Sequence, residues 1–220
     1  MILYGSTLSP FVRKVTAFAA EKGIALESQP GGLGRGGEEF AEASPFGKIP
    51  ALRVPGADDG KDFCIADSTA IITYLEACFP TPDMIPAEPM ARARAIWFDE
   101  FADTIFFAVA VKIFANRVLR PKLLKMPFDE SVAAAAEADE LPALLDYLER
   151  AIPASGFLIE DRITLADVAV CSPFANLGHS GVSVDPARWP RTAAYVAAIL
   201  ARPSFAPMIA KEEAFIAAAG

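Results

Sequence analysis

The segment Ser44-Pro45-Phe46-Gly47-Lys48-Ile49-Pro50-Ala51-Leu52, with Phe63 to Ala66 and Asp67-Ser68 behind it, decides the fold. Ile49-Pro50-Ala51-Leu52 reads as extended structure, the turn Asp58-Asp59-Gly60 reverses the chain, and Phe63 to Ala66 completes an antiparallel hairpin. Asp67-Ser68 then opens a helix that carries Ile71, Ile72, Leu75 and Cys78 at helical spacing. Upstream, Met1 to Tyr4 reads as a strand, Pro10 to Lys22 as a helix ended by Gly23, and Leu26 to Gln29 as a second strand. That is a βαβ opening. A glycine-rich loop, Gly31 to Gly37, leads to a short acidic helix near Glu38 to Ala43. The resulting order, β-α-β-α-β-β-α, makes the first part of the chain an α/β unit.

Downstream the pattern changes. Phe79 to Pro89 holds four prolines in a short polar stretch, the composition of an interdomain linker. The expected division is therefore an α/β domain at 1–80, a linker at 81–89 and an all-α domain at 90–220. Trp97, Phe101, Ile105, Val109 and Ile113 recur every four residues, with Phe98, Phe106, Phe107 and Phe114 on other faces. Such a helix is expected to be buried on several sides. Leu144, Leu145, Leu148 and Ile152 mark the next helix, which Pro142 either starts or kinks. Thr164-Leu165-Ala166-Asp167 has the spacing of a capping box, flanked by Ile163 and Val168 as a hydrophobic staple. Two further helices are expected from Pro190 to Ala201 and from Ser204 to Ala218.

Composition narrows the function. The chain has 220 residues, 53% apolar and 22% charged, and 20 Lys+Arg against 28 Asp+Glu give a net charge of -8. That charge repels phosphate backbones and anionic lipid headgroups, so neither nucleic acid nor a membrane is an expected partner. Met1 runs straight into Ile2-Leu3-Tyr4 without a basic segment, so no secretory signal is expected. The apolar run Ile105 to Val111, cut by Lys112, falls short of the ~18 residues of a membrane span. Cys64, Cys78 and Cys171 are scattered and His179 stands alone, which argues against zinc and structural disulfides and for a reducing, cytoplasmic setting. The three cysteines are expected to act as small buried hydrophobes. His179, in Gly178-His179-Ser180-Gly181, reads as an incidental loop residue.

Three short segments could carry chemistry. Ser9-Pro10 lies where a strand gives way to a helix, beside free amides at the positive end of the helix dipole. There a hydroxyl either caps the helix or helps to hold an anion such as a thiolate. Ile49-Pro50 is either a proline that starts an edge strand or a cis turn that presents the Ile49 backbone to an extended ligand. Asp67-Ser68 is either an ordinary cap or an acid and a hydroxyl able to hold the ammonium and carboxylate of an amino acid. Lys48 adds a cation next to the proline turn.

In this order the segments resemble the cytosolic glutathione transferase family, of the bacterial, serine type. The resemblance runs from Leu3-Tyr4-Gly5-Ser6 and Ser9-Pro10-Phe11-Val12-Arg13-Lys14 through Ser44 to Leu52 and Ala66-Asp67-Ser68 with Ile71 and Tyr74-Leu75. It continues in Ile163-Thr164-Leu165-Ala166-Asp167 and Ala201-Arg202-Pro203-Ser204. It implies a thioredoxin-like N-terminal domain followed by an all-helical one. By resemblance Ser9 activates the glutathione thiolate, with Thr7 as rival or helper. Ile49 pairs with the cysteinyl backbone, Pro50 holds a cis turn, Asp67 and Ser68 bind the γ-glutamyl end, and Lys48 meets the glycine carboxylate. The acid at the Asp67 position is usually glutamate, which reaches further.

A serine rather than a cysteine at position 9 favours conjugation over disulfide chemistry. The implied acceptor is a small hydrophobic electrophile in an apolar pocket between the domains. Phe11, Phe106, Phe107 and Phe114 are candidates to line it, and each could equally be helix core. The family further implies a homodimer, with Asp99 and Asp103 on an interface helix and more readily explained as solvated. Glutathione enters as cosubstrate, with no bound organic cofactor and no metal. Alternatives are a glutathione-dependent isomerase, although the Ser-Ser-Cys run expected there is absent between Thr7 and Phe11, and a non-catalytic binding protein of the same fold.

Overall fold

A computed structural model describes residues 1–219. They divide into two units, Met1–Met84 and the chain from Ile85 onward. The first runs β1 (Ile2–Tyr4), α1 (Pro10–Glu21), β2 (Glu27–Gln29), α2 (Gly37–Ala43), β3 (Ala51–Asp58), β4 (Lys61–Ala66) and α3 (Ser68–Cys78). The strands form one mixed sheet in the order β2-β1-β3-β4. β1 pairs parallel to β2 and antiparallel to β3, and β3 pairs antiparallel to β4. Period-2 alternation assigns the faces. Tyr4 and Ala51 pack with Phe40 and Ala43 of α2, while Leu3 and Leu52 are buried on the other face. α1 contributes Val12, Val15 and Phe18 to the core, and α3, which packs against it, contributes Ile71, Ile72 and Leu75. This is the thioredoxin-like order that the sequence predicts. The β3–β4 register shifts between Val54 and Asp58, across Pro55-Gly56, where proline removes a ladder donor.

Register sets up everything that follows. Tyr4 pairs with Gln29, Tyr4 with Ala51, and Ala51 with Ala66. These four residues form the last row at one end of the sheet. The loops after Tyr4 and Gln29, the segment before Ala51 and the residue after Ala66 therefore all gather at that end.

The second unit is helical: α4 (Pro89–Glu100), α5 (Phe107–Phe114), α6 (Glu130–Ala135), α7 (Leu141–Ala151), α8 (Leu165–His179), α9 (Pro190–Leu200) and α10 (Ala206–Ala219). Wider π-helical turns at Phe101–Phe106 and Ala115–Leu124 join and extend α4 and α5, and a third, Ala136–Glu140, precedes α7. The long aromatic helix is thus not buried all round. Phe98, Phe101 and Phe106 are buried but Trp97 and Ile105 are exposed; at Ile105, inside the first π turn, the wider turn shifts the phase of the apolar stripe. Pro142 starts α7 and does not kink it.

α8 is the core of this unit, with every residue from Leu165 to Leu177 buried. Its capping box forms as predicted, and Asp167 does more than cap. Its carboxylate accepts from the amides of Leu158 and Thr164, at 2.8 and 2.9 Å, and from the hydroxyls of Thr164 and Tyr195, both at 3.1 Å. Burial raises its pKa, although these hydrogen bonds pull the other way.

Three sequence expectations need correction. Cys171 is buried, but Cys64, on the edge strand β4 against the α2 cluster, is only half-buried, and Cys78, the last residue of α3, is exposed. Asp99 is fully buried rather than solvated. Gly178 and His179 end α8 instead of forming a loop, with the turn starting at Ser180.

α9 is capped from a distance. The Glu149 carboxylate, on α7, accepts from the amides of Arg191 and Thr192 and from the Thr192 hydroxyl. Desolvation opposes the charge, but those donors prevail and hold the Glu149 carboxyl below its usual value. A depressed pKa contributes stability above the unfolded-state value that is lost as pH falls through the folded-state value. Glu149→Gln should therefore lower stability to urea by about 1 kcal/mol at neutral pH, with the difference from wild type closing below about pH 4.

Candidate active site

The sheet end described above brings Ser9, Ile49 and Asp67 to neighbouring chain segments. Five residues after β1, Ser9 stands immediately before α1 in an extended conformation, with Pro10 as the first helical residue. Its amide donates to the Ser6 carbonyl and its carbonyl accepts from the Arg13 amide, both at 3.0 Å. Its hydroxyl makes no cap hydrogen bond and has no partner among the described residues. Ser9 is half-buried, so a hydroxyl beside the amide-rich start of a 12-residue helix remains available. Thr7, also half-buried, is two residues away.

Gly5 allows the approach of these segments. Its φ of 128° is one that side chains rarely adopt, and a Cβ there would lie 2.7 Å from Val12 and 3.1 Å from the Ile49 side chain. Any other residue would push the β1–α1 loop away from Ile49.

The Ile49–Pro50 bond is cis. The preceding turn is closed by the buried Ser44, whose hydroxyl donates to the Lys48 carbonyl at 2.7 Å. Ile49 has neither its amide nor its carbonyl hydrogen-bonded among the described residues, whereas the Pro50 carbonyl accepts from the Asp67 amide at 3.2 Å. An unpaired donor and acceptor on one extended residue can take a peptide-like ligand as an added strand.

Asp67 is the N-cap of α3, its carboxylate accepting from the Thr69 amide at 3.0 Å. Its backbone has φ 87° and ψ 133°, which is costly for any residue but glycine. The next residue, Ser68, is buried. Lys48 brings its ammonium within 4.0 Å of the Asp67 carboxylate, and both side chains are largely exposed. Such a loose surface pair contributes little to stability and is free to rearrange around a ligand.

Arg53, two rows away opposite Ile2 and Cys64, ties α2 to β4 and is absent from the sequence predictions. It is nearly buried, and its guanidinium donates to Glu42 and the Glu39 carbonyl on α2 and to Asp62 on β4. The hydrogen bonds to Glu42 and then Asp62 raise its pKa and keep it charged. Nothing in the local pattern around Arg53 signals partners up to fourteen residues away.

The aromatic candidates are divided between the two units. Phe11 is a half-buried residue of the first unit. Phe106, in the second, is a core residue with its ring 4.7 Å from Phe174 and 6.1 Å from Phe101. Phe114 is also buried, while Phe107 is half-buried. Among the described residues no group of His, Cys, Asp and Glu side chains could hold a metal ion, and no helix is long and apolar enough to cross a membrane.

Comparison with known proteins agrees with the fold. Residues 3–83 match the family model for the glutathione S-transferase N-terminal domain, and residues 118–212 match the one for its C-terminal domain. The chain is 31% identical over 217 residues to a glutathione S-transferase of Hyoscyamus muticus, an alignment that covers 95% of this chain and 97% of the relative. It is 30% identical over 215 residues to glutathione S-transferase 3 of Zea mays, covering 94% and 92%. Its structure superimposes, with a TM-score of 0.72 and 26% identity, on a glutathione S-transferase of Methylobacterium radiotolerans in complex with glutathione sulfonate, covering 94% and 93%. The chain belongs to the glutathione S-transferase family.

The Asp67 backbone yields a prediction independent of activity. Asp67→Gly and Asp67→Ala both lose the cap, but only alanine keeps the strain. Urea unfolding should find Asp67→Gly more stable than Asp67→Ala by about 1 kcal/mol or more.

Proposed function

We propose that the protein conjugates glutathione to a small hydrophobic electrophile, with Ser9 as the residue that ionises the thiol. The observation that carries this reading is the Ser9 hydroxyl, unengaged at the N-terminus of α1. A free thiol has a pKa of about 8.5 and is mostly protonated at neutral pH. A hydroxyl donating to sulfur, beside the positive end of a helix dipole, favours the thiolate. Each unit of pKa depression corresponds to about 1.4 kcal/mol. The thiol proton leaves to solvent, the thiolate attacks the electrophilic carbon, a carbon–sulfur bond forms and the leaving group departs with its electron pair.

The other residues hold glutathione in place. The Ile49 amide and carbonyl pair with the cysteinyl backbone, and Pro50 holds the turn that presents them. Asp67 takes the γ-glutamyl ammonium and Ser68 its carboxylate. Lys48 leaves Asp67 for the glycine carboxylate. Glutathione is then a cosubstrate, with no organic cofactor required. We place the reaction in the cytoplasm, where the free thiols of Cys64, Cys78 and Cys171 stay reduced.

In Ser9→Ala, glutathione should bind within a few-fold of wild type while the thiolate absorbance of the complex is lost. Turnover of a chloronitrobenzene acceptor should fall by about a hundredfold or more. Unchanged turnover would transfer the role to Thr7. Glutathione binding without turnover of any electrophile or maleyl diacid would favour a binding protein.

We also propose a homodimer. Phe46, 93% exposed in the turn before Ile49, is an apolar side chain that a subunit contact would cover. Sedimentation should show wild type as a dimer and Phe46→Asp shifted toward monomer with its helical content intact. A monomeric wild type, or a variant that stays dimeric, contradicts this.

A further inference from the structure

The second unit contains a cleft of about 320 Å³ among α8, the end of α9 and α10. It includes none of the residues assigned to glutathione. Its walls are Phe174, Leu200 and Ile209, and small residues, among them Gly178 and Ala210, leave the space open. A Cβ at Gly178 would meet no atom within 4 Å. A volume near the lower end for ligand pockets suits a molecule of one ring and a short side chain.

Two polar residues line this apolar space, and neither is a lysine or an arginine. His179 lines the cleft although its side chain is only 2% exposed, and its Nε2 lies 2.8 Å from the buried Glu212 carboxylate. Glu213, exposed, lines the same cleft and forms no ion pair among the described residues. The Glu213 carboxylate beside apolar walls selects a ligand that is hydrophobic at one end and a cationic hydrogen-bond donor at the other.

We propose that this cleft binds a small hydrophobic amine. Its ring packs against Phe174, Leu200 and Ile209, and its ammonium donates to Glu213. The site is independent of glutathione.

The test uses the full chain and three probes of one shape: 2-phenylethylamine, 2-phenylethanol and phenylacetate, titrated by calorimetry or ligand-observed NMR. The amine should bind at least about tenfold more tightly than the alcohol or the acid. Saturating S-methylglutathione should leave its affinity unchanged. Ala210→Leu, which fills the cleft from an exposed position, should weaken the amine by about tenfold or more, and Glu213→Gln by about fivefold. Circular dichroism checks that both variants fold. Failure of the amine to bind, equal or tighter binding of phenylacetate, loss of binding with S-methylglutathione, or full affinity in Ala210→Leu would each overturn the proposal.

Discussion

The pairing of Gln29, Tyr4, Ala51 and Ala66 in one row is the constraint on which the rest of the first unit depends. Because β1 is parallel to β2 and antiparallel to β3, and β3 is antiparallel to β4, the row joins three strand C-termini to one strand N-terminus. Four chain segments distant in sequence must then emerge at one end of the sheet. A one-residue slip would turn Tyr4 and Ala51 away from Phe40 and expose the core cluster they form with α2, so burial enforces the register. The opening of α1, the Ile49–Pro50 turn and the start of α3 meet as a consequence of packing.

At that end, the N-terminus of α1 is treated differently from the capped helix starts around it and elsewhere in the chain. Asp67, Glu88, Asp129 and the Thr164–Asp167 box each satisfy the first amides of their own helix, and Glu149 does so for α9 from another helix. α1 begins with a serine that does not bond back. A hydroxyl that could cap and does not is free to donate outward, and the helix dipole favours an anion there. The unpaired backbone of Ile49 and the strained backbone of Asp67 are departures of the same kind. Local stability is given up at each of these three segments.

Much of this architecture was legible because its signals are local. The βαβ opening, the hairpin turned by Asp58-Asp59-Gly60, the α3 start at Asp67-Ser68 and the capping box at Thr164 each announce themselves within a few residues. The long aromatic helix misled at Ile105, expected inside and exposed, because a fixed helical period cannot anticipate a π turn; Trp97 is exposed as well. Partnerships made through the fold were invisible. Arg53 reaches Glu42 and Asp62, Glu149 caps a helix 43 residues later, and His179 finds Glu212 across 33 residues. The candidate site was readable by residue type and order. The unused Ser9 hydroxyl and the positive φ of Asp67 were not, because neither conformation nor the absence of a bond is written in a motif.

The most direct test of the central claim is a crystal structure of the protein with glutathione. The account predicts the sulfur within about 3.5 Å of the Ser9 hydroxyl, with both the amide and the carbonyl of Ile49 hydrogen-bonded to the cysteinyl residue of the ligand. A complex in which the sulfur lies away from the start of α1, or in which Ile49 stays unpaired, would contradict it.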